Sequence, residues 1–369
     1  MTSETVARFE IGLTRYLDAS GKTHGRLPGF ATERDEMVAM YRAMVLTRVF
    51  DAKAVALQRT GQLGTYASSL GQEAVAIGIG AAMRTGDVFL PSFREQGAQL
   101  WRGVRMLDLL LYWGGDERGS AYEGPGAPDE DFPVCVPVGT QAAHAAGVAM
   151  AIRRRGEKRA ALCALGDGAS SRGDVIEAIN VAGLWSLPVV FVINNNGWAI
   201  SVPRAGQSAA ETLAQKAIAA GVPAEQVDGN DVIAVRDRVA AALERARGGA
   251  GPSLIEALTY RLSDHTTADD ASRYRDDAEV SARWAEEPVR RLRECLVACQ
   301  WWTKGDEEAL AAECAAEVEA VVAAYLAAPP PPPEAMFDHL YAELPAPLRA
   351  QRDRLLRRAG PAPDRQGGA

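Results

Sequence analysis

The chain has 369 residues, 47% of them apolar, which is enough for a sizeable core in one large domain or two modest ones. Its 40 Lys and Arg face 48 Asp and Glu, and the net charge of −8 argues against a nucleic-acid-binding surface or a polybasic membrane anchor. The five cysteines form no CxxC pair, and no apolar run reaches the roughly 18 residues of a membrane span. We therefore expect a soluble, cytoplasmic protein that binds neither nucleic acid nor membrane.

The N-terminal part begins as an irregular arm and continues as helices. Residues 1–34 are polar and punctuated by glycine, whereas the helical pattern "ERDEMVAMYRAMVLTRVF" starts the predicted core. From Gly71 a helix rich in Ala and Gly leads into a short strand, and its small residues predict close packing against another helix. The segment 115–133 is dense in Gly, Pro and acidic residues, which predicts a loop.

In the middle of the chain, helices alternate with buried strands. The segment "QAAHAAGVAMAIRRRG" is an alanine-rich helix in which we expect His144 to be packed. The runs "AALCAL", "PVVFVI" and "GPSLIEALTY" predict buried parallel strands separated by helices. This alternation predicts an α/β fold with a doubly wound, mainly parallel sheet.

The C-terminal part is helical and is interrupted by a run of prolines. After residue 275 the pattern stays helical to about residue 327, and five consecutive prolines then predict a stiff spacer. The predicted organisation is an N-terminal arm at 1–34, the main domain at 35–327, a proline linker at 328–333, a helical segment at 334–358 and a disordered tail at 359–369.

Oxygen-bearing side chains follow two of the predicted strands in "LCALGDGASSRGDVIEAINVAGLWSLPVVFVINNNGW". Asp167 and Asn196 are about one βαβ unit apart, so neighbouring strands would present both at one edge of the sheet. Together with the carbonyl of Trp198 they form an oxygen cage of low charge, which suits Mg²⁺ that also binds phosphate. Gly168 and Ala169 begin the next helix and can direct N–H groups at the same phosphates. The pattern predicts a metal and diphosphate site.

The alternative is a dinucleotide fold, in which the glycines only permit a tight turn. The segment "GDGASSRG" lacks the GxGxxG spacing, and an aspartate in the turn would repel a pyrophosphate unless a cation lay between them. The chain also lacks a GxxxxGK[ST] motif, which disfavours a P-loop hydrolase. An NAD-dependent oxidoreductase remains the alternative from another class of enzyme.

The combination of GDG with a following NN resembles the signature of proteins that bind thiamine diphosphate. Flanking segments such as "YASSLGQEAVAIGIGAAM", "SFREQGAQLWRGV" and "GPSLIEALTYRLSDHTTADDASRYR" are similar to the alpha subunit of the decarboxylating component of 2-oxo acid dehydrogenase complexes. The resemblance extends over about residues 35–355. It implies the thiamine diphosphate-binding fold, an N-terminal arm, a C-terminal helical extension, and the cofactors thiamine diphosphate and Mg²⁺.

The resemblance also implies roles for individual residues. Arg94 matches an arginine that contacts the diphosphate, and Phe93 replaces the tyrosine usual before it, so that a hydroxyl contact is lost. His265 matches a histidine near the cofactor phosphate or the substrate, where a group that titrates near neutrality can move a proton. The implied cofactor-binding set is Phe93, Arg94, Val138, Gly139, Gly166, Asp167, Gly168, Ala169, Asn196, Trp198 and His265, with Mg²⁺ on Asp167, Asn196 and the carbonyl of Trp198.

Three further assignments, one of them a set of four residues, follow from the same resemblance. Tyr66 lies where the family lines its substrate pocket, although a plain core aromatic is the alternative. Thr266 occupies the place of a regulatory phosphoserine of animal members, and nothing in the sequence indicates a kinase. The residues Cys135, Pro137, Thr140 and Gln141 resemble a K⁺ site of branched-chain members, and an ordinary helix N-terminus is the alternative.

The implied enzyme is incomplete without partners. In two-chain members the glutamate beside the aminopyrimidine belongs to the beta subunit, so we expect a heterotetramer of two alpha and two beta chains that delivers an acyl group to a lipoyl domain of the acyltransferase. The segment "SDHTTADDASRYR" resembles pyruvate-type members, whereas "QWW" resembles branched-chain ones. We take pyruvate as the expected 2-oxo acid and a branched-chain 2-oxo acid as the alternative. A non-catalytic paralogue is a remoter alternative.

Overall fold

The computed structural model describes residues 3–338 and 340–359. The contacts within the chain divide it into two compact units, one ending at Ala323 and the other beginning at Ala324. The predicted domain boundaries remain a prediction, and the predicted tail lies outside the described residues from residue 360 onward. None of the helices in the described part is both long and apolar enough to cross a membrane.

A parallel sheet forms the centre of the first unit. Within the described residues the strands are β1 (Leu13–Thr14), β2 (Val88–Leu90), β3 (Ala161–Gly166), β4 (Val189–Asn195), β5 (Trp198–Ala199), β6 (Val202–Pro203), β7 (Ala224–Asp228) and β8 (Ser253–Leu258). Six of them form one sheet in the order β1-β7-β8-β4-β3-β2, and every pairing in it is parallel. The other two, β5 and β6, pair with each other in an antiparallel ribbon.

Helices follow most of the strands. Those of the described chain are α1 (Arg34–Arg59), α2 (Glu73–Ala82), α3 (Gln96–Trp101), α4 (Met106–Trp113), α5 (Thr140–Arg155), α6 (Gly173–Leu184), α7 (Arg204–Gln207), α8 (Gln215–Ile218), α9 (Val232–Arg247), α10 (Asp277–Arg283), α11 (Pro288–Ala298), α12 (Lys304–Ala327), α13 (Ala335–Asp338) and α14 (Ala346–Ala359). Short 3₁₀ turns occupy Gly29–Thr32, Glu117–Ser120, Gly168–Ser171, Ala271–Arg273 and Trp284–Glu286.

Both faces of the sheet are covered, because alternate side chains of each strand enter different apolar clusters. On β3, Ala161, Cys163 and Leu165 pack into the cluster that includes α5 and α6. Leu162 and Ala164 pack into the cluster on the other face, with α2 and α9. This two-sided burial explains why the strands read as continuous apolar runs, and it confirms the predicted doubly wound α/β fold.

The small residues of α2 allow the close helix packing that the sequence predicts. A Cβ added at Gly78 would lie only 2.6 Å from Cγ1 of Val235 in α9. Gly80 is similarly close to the ring of Trp101 in α3. His144 differs from its prediction, since it lies on the exposed face of α5 with its ring centroid 5.9 Å from that of Phe132. The alanines on either side of it suggest burial, but α5 packs through another face.

The register of β3 and β4 brings the two polar strand ends together. These strands are adjacent and parallel, with Leu165 opposite Ile193 and Gly166 opposite Asn194. Asp167 directly follows the first strand, and Asn196 directly follows the second. Both side chains therefore leave the sheet at its carboxyl edge, where ligands bind in open parallel sheets.

Candidate active site

A cavity of about 640 Å³ opens at this carboxyl edge. Its walls come from the ends of β3 and β4, the loops after β2 and β8, and the first turn of α5. The lining residues are Thr65, Ala67, Gln72, Ser92, Phe93, Arg94, Glu95, Trp113, Cys135, Val136, Val138, Gly139, Gln141, Gly166, Asp167, Gly168, Ala169, Asn194, Asn196, Trp198, Ala199, Ile200, His265 and Thr266. All the residues that the sequence assigns to the cofactor are among them.

Asp167 and Asn196 are buried in the cavity wall and are held in place by side-chain amides. One oxygen of Asp167, Oδ2, accepts a hydrogen bond of 2.7 Å from Nε2 of Gln207. The amide of Asn196 donates to Oε1 of Gln72 at 3.1 Å, and its Oδ1 accepts from the backbone N–H of Trp198. Both side chains thus have fixed orientations before any ligand binds, which reduces the entropy lost on binding.

The charge of Asp167 favours a cation in this cavity. Burial raises the pKa of its carboxyl, whereas the hydrogen bond from Gln207 acts in the opposite direction. A bound divalent cation would stabilise the charged form that burial disfavours. The described residues contain no group of three or more His, Cys, Asp or Glu that could hold a metal. A metal here would therefore need amide, carbonyl and phosphate oxygens as well as Asp167, and such all-oxygen coordination fits Mg²⁺.

Gly168 is required by the close approach of the next loop. It begins the 3₁₀ turn Gly168–Ser171, and a Cβ at this position would lie 2.7 Å from Cβ of Ala199. The hydroxyl and the carbonyl of Ser170 in the same turn both accept from Nζ of Lys216, which fixes the turn from outside the cavity. The tight packing keeps the backbone of this turn, including Ala169, at the cavity wall.

Two buried guanidinium groups near the cavity form no ion pair within the described part of the chain: Arg94 lines the cavity, and Arg261 lies outside the lining and contacts His265. Arg94 donates to the carbonyls of Ser68 and His265, and Arg261 donates to the carbonyl of Ile200 and the hydroxyl of Tyr274. Neither forms an ion pair with a carboxylate of the described residues. Burial, followed by the charge of Arg261, lowers the pKa of Arg94 to about 10. Because a buried positive charge without an ion pair is unfavourable, Arg94 in the cavity wall favours an anion as ligand.

His265 lies between these two arginines. Its Nδ1 is 3.0 Å from Nη2 of Arg94 and 3.4 Å from Nη1 of Arg261. Arginine can only donate, so Nδ1 accepts and the proton of the neutral ring is on Nε2. Burial and the two guanidinium charges lower the pKa of His265 to about 4. This differs from the titration near neutrality expected from the sequence, because the sequence does not show the two neighbouring charges.

The aromatic residues take different positions around the cavity. The ring of Phe93 lines it and lies edge-on to His265, with centroids 6.1 Å apart. Trp198 also lines it, and its ring packs against Tyr274. Tyr66, predicted to line the substrate pocket, is fully buried behind the wall, where its hydroxyl donates to Oδ1 of Asp51 at 3.0 Å. The cavity is lined instead by its neighbours Thr65 and Ala67.

The four residues proposed from the K⁺ resemblance meet at the start of α5. Cys135 and Gln141 line the cavity, and the hydroxyl of Thr140 donates to the carbonyl of Pro137 at 2.8 Å. The amide nitrogen of Gln141 donates to the carbonyl of Ala164, while its buried Oε1 has no partner among the described residues. A buried acceptor without a donor is unfavourable unless a ligand or ion satisfies it.

Three residues at the site were not singled out by the sequence. Gln72 and Gln207 orient Asn196 and Asp167, and as uncharged amides in unremarkable segments they give no signal in the sequence. Arg261 could have been found, because it interrupts the apolar run "SLIEALTYRL". A fully buried arginine in such a run indicates an internal partner or a ligand.

Comparison with known proteins gives a family match over most of the chain. Residues 41–334 match the family described as "Dehydrogenase E1 component". The "3-methyl-2-oxobutanoate dehydrogenase subunit alpha" of Mycobacterium tuberculosis is 42% identical over 318 residues, which cover 86% of this chain and 85% of that protein. The "Pyruvate dehydrogenase E1 component subunit alpha" of Staphylococcus epidermidis is 37% identical over 353 residues, which cover 95% of this chain and 93% of that protein. The Staphylococcus aureus protein of the same name is 36% identical over 353 residues, with the same coverage.

Proposed function

The chain belongs to the family of dehydrogenase E1 components, and on that premise we propose that it is the alpha subunit of a 2-oxo acid dehydrogenase, an oxidoreductase that uses thiamine diphosphate. The reaction is the oxidative decarboxylation of a 2-oxo acid with transfer of the acyl group to the lipoyl domain of an acyltransferase. The observation that carries the proposal is that Arg94, a buried arginine without an ion pair among the described residues, lines the same cavity as Asp167 and Asn196. A metal diphosphate supplies an anion for Arg94 and a cation for Asp167.

The cofactor supplies an electron sink for the loss of carbon dioxide, and the protein supplies binding and electrostatics. In the proposed arrangement, Asp167, Asn196 and the carbonyl of Trp198 hold Mg²⁺, while Arg94 contacts the diphosphate. Backbone groups of Gly166, Gly168 and Ala169 would complete the diphosphate site, Val138 and Gly139 would contact the aminopyrimidine through their backbone, and Phe93 also lines the cavity. The support for this assignment is that all of these residues line the cavity, and that its oxygen ligands fit Mg²⁺.

His265 acts as a catalytic residue that holds a proton at Nε2. Arg94 occupies Nδ1 as a donor, so the ring presents N–H rather than a lone pair on its other nitrogen. A neutral imidazole donor can stabilise a developing negative charge without a change in its own protonation. An anion bound in the cavity beside Arg94 and His265 would raise the pKa of His265, since a negative charge favours the protonated ring.

A K⁺ ion at the start of α5 is a separate part of the proposal. Its support is the unpaired Oε1 of Gln141 at the start of α5, where the hydroxyl of Thr140 also contacts the carbonyl of Pro137. Cys135 would contribute through its backbone. A bound K⁺ ion would fix the position of the backbone segment that contains Val138 and Gly139.

The cavity mouth supports a beta subunit as the partner. Three large apolar side chains at the cavity are exposed, namely Val136 (54%), Val138 (44%) and Ile200 (55%). Large exposed apolar side chains around a ligand site mark a surface that another chain covers. We propose a heterotetramer of two alpha and two beta chains in which the beta subunit covers this mouth and supplies the glutamate for the aminopyrimidine.

Two substrates remain candidates. Pyruvate is our first choice, and its support is the match to pyruvate dehydrogenase alpha subunits over 95% of the chain. The alternative is 3-methyl-2-oxobutanoate, supported by the higher identity of 42% to the Mycobacterium tuberculosis subunit. The two substrates differ by only two methylene-sized groups, and each such group changes binding by only about 1–3 kcal/mol. The cavity wall therefore does not decide between them.

The test is a decarboxylation assay on the chain co-expressed with its beta subunit. We expect activity with pyruvate that depends on thiamine diphosphate and Mg²⁺, and lower activity with 3-methyl-2-oxobutanoate. Asp167→Ala should abolish Mg²⁺-dependent cofactor binding and leave the fold intact, because it removes the charged metal ligand. A preference for 3-methyl-2-oxobutanoate would select the alternative, and heat protection by NAD in place of thiamine diphosphate would refute the proposed reaction. Unchanged cofactor affinity of Asp167→Ala would refute the metal assignment.

A further inference from the structure

Behind the cavity wall, α1 carries a buried carboxylate that the proposed reaction does not use. Asp51 is 4% exposed, and no Lys, Arg or His of the described chain forms an ion pair with it. Burial raises the pKa of this carboxyl, because the charged form loses its hydration when it is removed from water. A buried acid without a cation is costly, so its surroundings have to compensate for it.

The compensation comes from four hydrogen bonds of one short segment. Oδ1 of Asp51 accepts from the hydroxyl of Tyr66 at 3.0 Å, and from the N–H and the hydroxyl of Ser69 at 2.7 and 3.2 Å. Oδ2 accepts from the hydroxyl of Ser68 at 2.6 Å. The segment 66–69 is thereby fixed to α1 at three of its four residues. It has no helix or strand of its own to define its path.

The same segment also contacts Arg94 and the loop that carries His265. The carbonyl of Ser68 accepts from Nη1 of Arg94, whose Nη2 reaches the carbonyl and Nδ1 of His265. The backbone of Tyr66 pairs with Thr267, because the N–H of Tyr66 donates to Oγ1 of Thr267 at 3.0 Å and the N–H of Thr267 donates to the carbonyl of Tyr66 at 2.9 Å. The path of segment 66–69 therefore sets the position of Arg94 and of the loop that carries His265.

We propose that Asp51 is a positioning residue for the anion site: through Tyr66, Ser68 and Ser69 it fixes Arg94 and the His265 loop at the separation that binds the diphosphate. The inference rests on the proposed function, since it assumes that an anion binds at Arg94. Asp51 does not line the cavity and acts only through these residues. Its negative charge also acts on the buried Arg94 in the direction opposite to that of Arg261, so it supports a guanidinium that has no ion pair.

The experiment measures the affinity of Mg²⁺-pyrophosphate for the full chain by calorimetry, together with the unfolding temperature. Asp51→Asn keeps the size of the side chain and removes its charge and one of its acceptor atoms. We expect affinity to fall about tenfold, as for other outer-shell partners of a binding site. Arg273 is an exposed arginine at the end of the 3₁₀ turn that follows His265. Tryptic cleavage after Arg273 should be faster in the variant than in the wild type. Added pyrophosphate should slow this cleavage less in the variant than in the wild type.

Asp231→Asn is the matched control. Asp231 is also fully buried, also has no ion pair among the described residues, and also accepts four hydrogen bonds, from the N–H groups of Tyr16, Leu17, Ile233 and Ala234. It caps α9 and does not line the cavity. A purely structural effect would appear equally in both variants, as a lower unfolding temperature with unchanged pyrophosphate affinity. We expect that pattern for Asp231→Asn alone.

Three results overturn the inference. If Asp51→Asn binds Mg²⁺-pyrophosphate like the wild type, Asp51 has no positioning role, while the proposed function stands. If Asp231→Asn loses the same affinity, the effect is one of general stability. If the wild type binds neither Mg²⁺-pyrophosphate nor thiamine diphosphate, the proposed function fails and this inference fails with it. Should Asp51→Asn not fold, Ser68→Ala decides, because it removes one of the four bonds to Asp51, together with the local bond that the Ser68 hydroxyl accepts from the N–H of Leu70. It should still weaken binding about threefold, in line with one weak hydrogen bond.

Discussion

Arg94 and Arg261 are buried against neutral hydrogen-bond acceptors and form no ion pair within the described residues, although Glu95 and Asp167 also line the cavity. Burial and the two guanidinium groups lower the pKa of His265, which lies between them, so its ring is uncharged near neutral pH. An anion that binds here removes an unfavourable interaction present in the ligand-free chain. We therefore expect diphosphate binding to stabilise the fold, since a ligand that binds only the folded state shifts the equilibrium toward it.

The depressed pKa of His265 predicts how stability changes with pH. In the unfolded chain its pKa is 6.5, and in the folded chain it is about 4, so the unfolded state binds more protons between these values. The contribution is fully present above pH 6.5 and is lost as the pH falls toward 4. Urea unfolding at about pH 7 and about pH 5 should show a larger loss of stability on acidification for the wild type than for His265→Gln, which cannot be protonated.

An equal loss in both proteins would show that His265 keeps its ordinary pKa in the folded chain. That result would also place the two guanidinium groups further from the ring than the structure does. A titration of the His265 ring by NMR gives an independent reading, and its pKa should rise when Mg²⁺-pyrophosphate is added.

At the level of elements, the site depends on how closely α2 packs on the rest of the fold. This helix follows directly after Gln72, which orients Asn196, and it crosses α9 through Gly78. A Cβ at Gly78 would be 2.6 Å from Cγ1 and 2.7 Å from Cβ of Val235, with the backbone N of Arg236 at 3.1 Å. Backbone and a β-branched side chain cannot move aside easily, so the position requires glycine.

Gly78→Ala and Gly147→Ala form a matched pair for this packing. Alanine is favoured over glycine in a helix by about 1 kcal/mol. At Gly147 in α5 nothing lies within 4 Å of an added Cβ, so the substitution should stabilise the isolated chain by about 0.5–1 kcal/mol. At Gly78 the overlap with α9 should outweigh that gain and destabilise by about 1–3 kcal/mol. Chemical denaturation of the two variants measures both values.

The sign of the change in stability shows whether α2 and α9 are in close contact at Gly78. If Gly78→Ala stabilises the chain as Gly147→Ala does, α2 and α9 are further apart than the structure shows. A destabilised Gly78→Ala should also bind Mg²⁺-pyrophosphate more weakly, because Gln72 lies directly before α2.

For the whole molecule, the cavity and the buried core belong to the first unit. The lining residues fall between positions 65 and 266, and within the described residues the three apolar core clusters include nothing beyond Cys314. The second unit begins at Ala324 and contains the proline run with α13 and α14. We therefore expect the first unit to form the binding site without the second.

A chain that ends at Ala328 tests this expectation and keeps all of α12. It should bind Mg²⁺-pyrophosphate with the affinity of the full chain, and its unfolding temperature should change by no more than a few degrees. A truncated chain that aggregates or loses affinity would show that residues after Ala328 stabilise the first unit. The same comparison tests the predicted boundary between the main domain at 35–327 and the proline linker.

The strand ends, and with them half of the site, can be located from the order of the amino acids alone. Continuous apolar runs specify buried parallel strands, and the polar residues that follow them must lie at the carboxyl edge, so strand order and direction are enough to pair Asp167 with Asn196. The motifs around Arg94 and His265 likewise placed both residues at the cavity. The positions of Asp167 and Asn196 can be inferred in this way because, in a parallel sheet, the residue that follows a strand lies at the carboxyl edge.

Contacts between buried groups, by contrast, follow from packing in three dimensions. The low pKa of His265 comes from its burial and from Arg94 and Arg261, which lie 171 and 4 positions away in the chain. Gln207 at Asp167, Asp51 behind the wall and the exposure of His144 are equally invisible in the sequence. Hydrogen bonds and Coulomb interactions act over a few ångströms, so their partners are fixed by packing in three dimensions and not by spacing along the chain.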